Sequence, residues 1–240
     1  MPPAPSLPIT IAFVALVFAM IGLLLGATAW ASKRLGEGSA ERRQRITGAV
    51  MVIGLWMIVS SGLAGAGILA NFTSFPPPIG RLLIAGLVMT TIAAATRVGR
   101  ALATGLPLAA LIGFQVFRVP AELILDELYR EGVVPVQMTF EGLNFDIALG
   151  ASAPLVAWLV ARGKMPRWAV RVWNFAGLGL LAAVVTIASL SMPSPIRLFM
   201  NEPTNIIVAS LPWAWLPTVL LMLALFGHLL VFRAVDRGGE

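Results

Sequence analysis

Arg118 and Glu122, one helical turn apart, are the residues whose types and spacing could most readily do chemistry in this chain. They lie in the segment FRVPAELILDELYRE, residues 117–131, at the end of a long apolar run. An unpaired charge among apolar residues is costly, so each of the two is expected to have a partner. The guanidinium could hold an anionic group, and the carboxylate could hold a cation or a proton. A purely structural ion pair is the alternative interpretation.

Two other segments are predicted to bring polar residues to the same place. GVVPVQMTFEGLNFDIALG, residues 132–150, is a loop that turns back into an apolar run. SMPSPIRLFMNEPTNIIVASLPWAWLP, residues 191–217, is too long for a tight turn and too apolar for a solvated loop, which predicts a short interfacial or re-entrant segment. The candidate ligand-binding residues of the three segments are Arg118, Glu122, Glu141, Asn144, Asp146, Arg197, Asn201 and Glu202.

Local structural roles compete with ligand binding at two of these positions. Asn144 is a candidate N-cap for the next helix, and the carboxylate of Asp146 would favour the positive N-terminal end of that helix. Alternatively, Glu141 and Asp146 face inward toward Arg118. If the three segments converge, they form a polar pocket in which two arginines hold an anion and several carboxylates hold a cation or a proton.

The composition indicates the kind of element that positions these residues. Of the 240 residues, 58% are hydrophobic and only 12% are charged, and the mean hydropathy is +0.90, well above that of a soluble domain. The chain is therefore predicted to be an all-α, polytopic membrane helix bundle. It forms one domain over residues 1–240, with no soluble domain.

Seven apolar runs are long enough, or nearly long enough, to cross about 30 Å of hydrocarbon. The predicted transmembrane helices cover approximately residues 9–31, 46–70, 80–97, 101–130, 145–161, 168–190 and 213–233. The N-terminal MPPAPSLP has no Lys or Arg before the first run, so that run is expected to be a permanent helix rather than a cleaved signal peptide.

The distribution of basic residues predicts the orientation of the bundle. Thirteen of the seventeen Lys and Arg residues fall on one side of the predicted spans, and seven of the eleven acidic residues fall on the other. Because short cytoplasmic loops are rich in Lys and Arg, the N-terminus is predicted outside and the C-terminus in the cytoplasm. The charged cluster is then predicted on the outer side of the membrane.

Several classes of function and cofactor are excluded or disfavoured. The net charge of +6 is spread over loops as orientation signals are, so no nucleic-acid partner is expected. No cysteine is present, which excludes an iron–sulfur cluster, and the single histidine excludes bis-His haem and a His-cluster metal site. The only lysines, Lys33 and Lys164, lie in predicted cytoplasmic loops, so no retinal Schiff base is expected. No metal site is predicted, and the sequence does not identify any other cofactor.

Several motifs in the C-terminal half resemble a family of uncharacterised bacterial seven-helix membrane proteins. They are FRVPAE at 117–122, MTFEGLNFDI at 138–147, VWN at 172–174, PSPIRLF at 193–199, NEP at 201–203 and PWAWLP at 212–217. The resemblance implies a fold and no activity. Together with the predicted orientation, it implies localisation in the bacterial cytoplasmic (inner) membrane, with the charged cluster facing the periplasm.

Three functions stay open on the sequence alone. The first is binding or transport of a small ligand, either an anion or another kind of molecule, at the outer polar cluster. The second is an accessory subunit of a membrane complex, in which the small-residue stretch SSGLAGAG of helix two, residues 60–67, meets a protein partner or a second copy. The third is a membrane enzyme acting on a lipid or isoprenoid, with Glu122 and Asp146 as acid and base. Whether the chain is an enzyme is undecided, and membrane lipids are partners in each case.

Overall fold

The computed structural model describes residues 3–237. Within that range the secondary structure is helical, with no strand. The α-helices are α1 (Leu7–Arg34), α2 (Ser39–Gly65), α3 (Pro78–Ala95), α4 (Arg97–Gly105), α5 (Leu108–Gly113), α6 (Arg118–Arg130), α7 (Asp146–Ala161), α8 (Arg167–Leu190) and α9 (Leu221–Arg237).

Six helical segments of the described chain are long and apolar enough to cross a membrane. Four are the helices α1, α2, α3 and α8. The fifth is Leu108–Arg130, in which α5 and α6 are joined by a 3₁₀ turn, and the sixth is Leu216–Asp236, in which a π-turn leads into α9. Helix α7 is apolar but shorter, at 16 residues. The architecture is that of a multi-pass membrane protein.

Apolar side chains on the outside of the bundle fit this architecture. The hydrocarbon core of a membrane has no water to bond the backbone, and a helix satisfies its backbone N–H and C=O groups internally. Large apolar side chains are exposed along α1, α2, α3 and α8, including Leu55 and Ile58 on α2. Helix α9, in contrast, packs against α3, α4, α5 and α8 and forms the centre of the bundle.

The predicted helix over 101–130 is interrupted in the structure. Helix α4 ends at Gly105, Leu106 is extended, and α5 begins after Pro107. Proline disfavours a helical conformation in the residue before it and has no N–H to donate, which accounts for the break. The membrane-length segment therefore starts at Leu108 rather than at Ala101.

Two sets of contacts hold helix ends together on opposite sides of the bundle. On one side, the Ser6 backbone N–H donates to the Glu131 carboxylate at 2.8 Å, and the Trp215 indole donates to the Ser61 hydroxyl at 3.0 Å. These contacts join the start of α1, the end of α6, the end of α2 and the segment before α9. We call this the Glu131 side.

The contacts on the opposite side join the start of α8 and the ends of α3 and α9. Arg171, near the start of α8, pairs with Asp236 at the end of α9, with Nη2 and Oδ1 2.8 Å apart. Arg233 of α9 donates to the carbonyl oxygen of Ala94 at the end of α3. We call this the Asp236 side.

The segment between α8 and α9 is folded onto the Glu131 side of the bundle. Its 3₁₀ turn, Ile207–Ala209, is buried. Trp213 is buried as well and stacks on Phe13 of α1 with ring centroids 4.5 Å apart. The segment is therefore part of the core, and Trp213 packs inside the protein rather than in an interfacial aromatic belt.

Candidate functional site

Arg118 is the centre of a buried polar cluster in the middle of the bundle. Only 2% of its surface is exposed. Nη1 donates to the carboxylate of Asp146 at the start of α7, Nη2 lies 3.0 Å from Nε2 of His228, and Nε donates to Oε1 of Gln115 at 3.2 Å. All three guanidinium nitrogens thus have protein acceptors, and the ion pair with Asp146 offsets the cost of burying the charge.

His228 connects this cluster to α8. A guanidinium can only donate, so Nε2 of His228 accepts and the ring proton lies on Nδ1. Nδ1 then donates to Oδ1 of Asn174 at 2.7 Å, and Nδ2 of Asn174 donates to the backbone oxygen of His228 at 3.0 Å. Gln115 adds a bond to the Ala224 oxygen at 3.1 Å. The network therefore links the α5–α6 segment, α7, α8 and α9.

Glu122 and Asn144 extend the network toward the Glu131 side. Nδ2 of Asn144 donates to Oε2 of Glu122 at 2.7 Å and to the Met138 oxygen at 3.0 Å. Oδ1 of Asn144 accepts the Asp146 N–H at 3.1 Å, which is a cap-like bond, although α7 itself begins at Asp146 with Phe145 before it. Asn144 therefore holds Glu122 and the start of α7 together. We call the set Gln115, Arg118, Glu122, Asn144, Asp146, Asn174 and His228 the Arg118 cluster.

Glycines make room for the cluster. A Cβ added at Gly177 of α8 would lie 2.4 Å from Cε1 of His228, and one at Gly227 of α9 would lie 2.6 Å from Nε2 of Gln115. A Cβ at Gly150 of α7 would lie 3.0 Å from Cβ of Arg118. Side chains at these positions would displace members of the cluster, since interiors are close-packed.

An apolar cavity of about 410 Å³ lies against the Glu122 face of the cluster. Its walls come from α3, α6, α8 and the Leu216–Ala224 stretch, and Phe75–Pro77 lie at its edge. The polar residues lining it include Arg118, Glu122, Asn144 and Asp146. We call it the α6 cavity. Its size falls within the range of small-molecule pockets, about 300–1,000 Å³.

Arg197, Asn201 and Glu202 belong to a different assembly. Arg197 donates to the backbone oxygens of Phe199 at 2.7 Å and Asn201 at 2.9 Å, and its Nη2 lies 3.1 Å from the carboxylate of Glu202, which is 70% exposed. Arg197 does not line the α6 cavity within the described part of the chain. The predicted pairing of two arginines around one anion is not the arrangement observed.

The loop carrying Arg197 is tied to the rest of the protein by amides. Nδ2 of Asn201 donates to Oε1 of Gln137 at 2.8 Å, and Nε2 of Gln137 donates to the Ser191 hydroxyl at 2.9 Å. The loops 132–145 and 191–215 therefore meet, and residues of both, such as Met138 and Ser194, line the α6 cavity. We call the set Gln137, Ser191, Arg197, Asn201 and Glu202 the Arg197 clasp.

Glu141 lies apart from both assemblies. Its side chain is 49% exposed, and its nearest cationic partner is Arg130 at 4.0 Å. Of the eight candidate residues, four lie in the Arg118 cluster: Arg118, Glu122, Asn144 and Asp146. Three lie in the Arg197 clasp, and Glu141 lies at the surface.

Arg118 lies ten residues, about 15 Å, from the start of the apolar segment Leu108–Arg130. A continuous helix counted from Ala101 would have placed it about 25 Å along. Arg118 pairs with Asp146, which is the alternative in which Asp146 faces inward toward Arg118, while Glu122 bonds to Asn144.

Three cluster members, Gln115, Asn174 and His228, were not among the predicted site residues. Gln115 could have been found, because positions 115, 118 and 122 share one face of a helix. His228 and Asn174 are single polar residues in separate apolar helices, and nothing in their spacing indicates that they meet. Among residues 3–237, no three His, Asp or Glu side chains are grouped so that they could hold a metal ion.

Comparisons of the chain with protein-family models, with curated proteins and with solved structures find no match. The resemblance to a bacterial seven-helix family therefore stays a prediction. The function proposed below rests on the geometry of the chain's own residues.

Proposed function

We propose that this chain is a seven-span protein of the bacterial cytoplasmic membrane that binds a small ligand in the α6 cavity, either to hold it or to transport it. The observation that carries the proposal is Glu122. It is 3% exposed and lines the cavity, and only one of its two carboxylate oxygens has a hydrogen bond within residues 3–237. The other oxygen is therefore available to accept a hydrogen bond from a molecule in the cavity.

The contacts at the helix ends support seven crossings. Helix α7 begins at Asp146, just after the loop that bonds to Ser191 and Asn201 on the Glu131 side. It ends at Ala161, a few residues before Arg171 on the Asp236 side. A 16-residue helix is about 24 Å long, which suffices for a crossing whose polar first residue is buried inside the protein.

The excess of Lys and Arg supports the proposed orientation. The Asp236 side receives the loops 35–38 and 162–166 and the break between α3 and α4. Most of the basic residues lie in these connections or in the helix ends that adjoin this side. The rule that cytoplasmic loops are enriched in Lys and Arg then assigns this side to the cytoplasm. The Glu131 side then faces the periplasm.

The test compares native mass spectra of protein extracted gently from its own membrane. Glu122→Gln is the informative variant, because Gln is isosteric and can still accept the bond from Asn144. Glu127→Gln is the matched control, since Glu127 is exposed on the same helix. We expect a small molecule on the wild type and on the control, and at least a tenfold lower occupancy on Glu122→Gln. Equal occupancy on all three, or a wild type without any small molecule, would contradict the proposal.

An accessory role in a membrane complex is the second candidate, favoured by the surface of α2. Helix α2 packs mainly against α1 and the turn at 68–70, and added Cβ atoms at Gly48, Gly54 and Gly62 would meet nothing within 4 Å. A partner helix could approach closely there. Copurification of one protein at fixed stoichiometry after mild extraction would support this role, and a monomer in native-like lipid would count against it.

A further inference from the structure

We infer that the ligand of the α6 cavity is a single-chain amphiphile with a hydrogen-bond-donating head, an amine or an alcohol, that enters sideways from the membrane between α3 and α8. This inference rests on the proposed function and names the class of ligand. It departs from the expectation of an anion. Four features of the cavity carry it.

The first feature is an excess of acceptors at the polar end of the cavity. Oε1 of Glu122 and Oδ2 of Asp146 accept no hydrogen bond from residues 3–237, while the second oxygen of each carboxylate is bonded. The hydroxyl of Ser194, which also lines the cavity, is buried without a partner in the same range. A head that donates hydrogen bonds would satisfy these groups.

The second feature is that the donors of the cluster are already used. Arg118 donates from all three of its nitrogens to protein acceptors. Asn144 donates to Glu122 and to the Met138 oxygen. An anionic head placed here would have to break one of these bonds, since a buried acceptor left unpaired is costly.

The third feature is the balance of charge. The cavity is lined by one cationic group, Arg118, and two carboxyl groups, Glu122 and Asp146. Arg118 is neutralised by its ion pair with Asp146. The remaining carboxyl is that of Glu122. In its ionised form it attracts an ammonium and repels a carboxylate or phosphate, and in its neutral form it can still accept a hydrogen bond.

The fourth feature is the shape and setting of the cavity. Beyond the polar end, its lining is aliphatic, contributed by α3 and α8, neither of which is a polar helix. Ile84 of α3 lines the cavity and is also 54% exposed on the outside of the bundle. The cavity wall is thus continuous with the membrane-facing surface. A hydrocarbon chain could lie along it and bring the head to Glu122 without crossing water.

The experiment uses three probes that differ only in the head: decylamine, decanol and decanoate. The full chain is placed in phosphatidylcholine nanodiscs, and binding is measured by equilibrium dialysis, with protein-free discs to subtract partition into lipid. We expect saturable binding of the amine and the alcohol, with decanoate about tenfold weaker or more, the size of one charge-assisted hydrogen bond. Tighter binding of decylamine than of decanol would show that the site selects the charge of the head. Equal affinities would show that it selects hydrogen-bond donation.

Glu122→Gln should reduce the preference for decylamine over decanoate to within about threefold, and Glu127→Gln should leave it unchanged. Entry between α3 and α8 is tested with Ile84→Trp, which should slow uptake of decylamine severalfold. Ile92→Trp is its control, because Ile92 is equally exposed on α3 but does not line the α6 cavity within the described chain.

Two results would overturn the inference. Decanoate bound as tightly as decylamine would show that the cavity takes an anion, and the proposed function would still stand. Saturable binding of none of the three probes would reject this class of ligand. The native mass spectra then decide separately whether a different small molecule occupies the cavity.

Discussion

Two arginines of this protein, Arg118 and Arg197, occupy contrasting environments. Arg118 is 2% exposed, and its acceptors are side chains from three different helical segments. Arg197 bonds mainly to backbone oxygens within its own loop, and its acidic partner Glu202 is mostly exposed. The first arginine therefore connects distant elements, and the second organises a turn.

The structural role of each arginine therefore depends on where its hydrogen-bond partners lie. In the Arg118 cluster, each partner is buried, so removing one leaves another without water or protein to replace it. In the Arg197 clasp, solvent can replace Glu202. Members of the Arg118 cluster also line the α6 cavity. The following substitutions test this contrast, in order of decreasing expected effect.

The largest effect is expected from Arg118→Ala. The variant leaves Asp146 as an uncompensated buried carboxylate, and its free energy of unfolding should fall by about 3–5 kcal/mol. Arg197→Ala, the matched variant, should cost about 1 kcal/mol. Unfolding in mixed detergent and dodecyl sulfate micelles measures both. Equal losses of stability in the two variants would contradict the contrast between the two arginines. Recovery of most of the loss in the double variant Arg118→Met, Asp146→Leu would strengthen it.

Gly177→Ala should have the next largest effect. Its Cβ would lie 2.4 Å from the His228 ring and 2.6 Å from Leu149, so the bond between His228 and Asn174 must move. We expect a loss of about 2–3 kcal/mol. Gly179→Ala on the same helix is the control, because a Cβ there meets nothing within 4 Å. Thermal unfolding in detergent compares them, and equal melting temperatures would mean that α8 is not close-packed on the cluster.

Asn144→Ala should cost about 1–2 kcal/mol, because it removes bonds to Glu122, Met138 and Asp146 at once. Asn201→Ala, its counterpart in the Arg197 clasp, removes one side-chain bond to Gln137 and should cost about half as much. The same unfolding assay checks this. If Asn201→Ala lost more stability than Asn144→Ala, the amide in the Arg197 clasp would be the more important of the two.

The smallest effect is expected from Glu202→Gln. Glu202 is mostly exposed, and exposed ion pairs contribute little. The loss should be below about 0.5 kcal/mol, and ligand occupancy in native mass spectra should not change. A fall in occupancy would bring the Arg197 clasp back into the binding site.

The helical class was predictable because hydropathy and helix length follow directly from the apolar runs. Pro107 is visible in the sequence as well, but a continuous helix from 101 ignores the break that this proline causes. Helix α7 is harder to assign, since its 16 residues are shorter than the usual crossing.

Half of the candidate residues fall in the Arg118 cluster, for a physical reason. Arg118, Glu122, Asn144 and Asp146 are charged or amide groups adjoining apolar runs, where burial forces them to find partners. Arg197 and Glu202 resemble them in residue type, but they can satisfy each other and the nearby backbone locally. The contribution of His228 and Asn174 depends on how α8 and α9 pack, and no local pattern encodes that packing.

The measurement that tests the central claim most directly is chemical labelling of Glu122 in native membranes. A membrane-soluble carbodiimide reacts with carboxyl groups that it reaches through an apolar phase, and peptide mass mapping locates the product. The account predicts labelling of Glu122 that decylamine prevents, with no labelling of the buried neighbour Asp126, which is paired with Arg130 and does not line the α6 cavity within residues 3–237. An unlabelled Glu122, or labelling that decylamine leaves unchanged, would contradict the claim that its carboxyl faces a ligand-binding cavity.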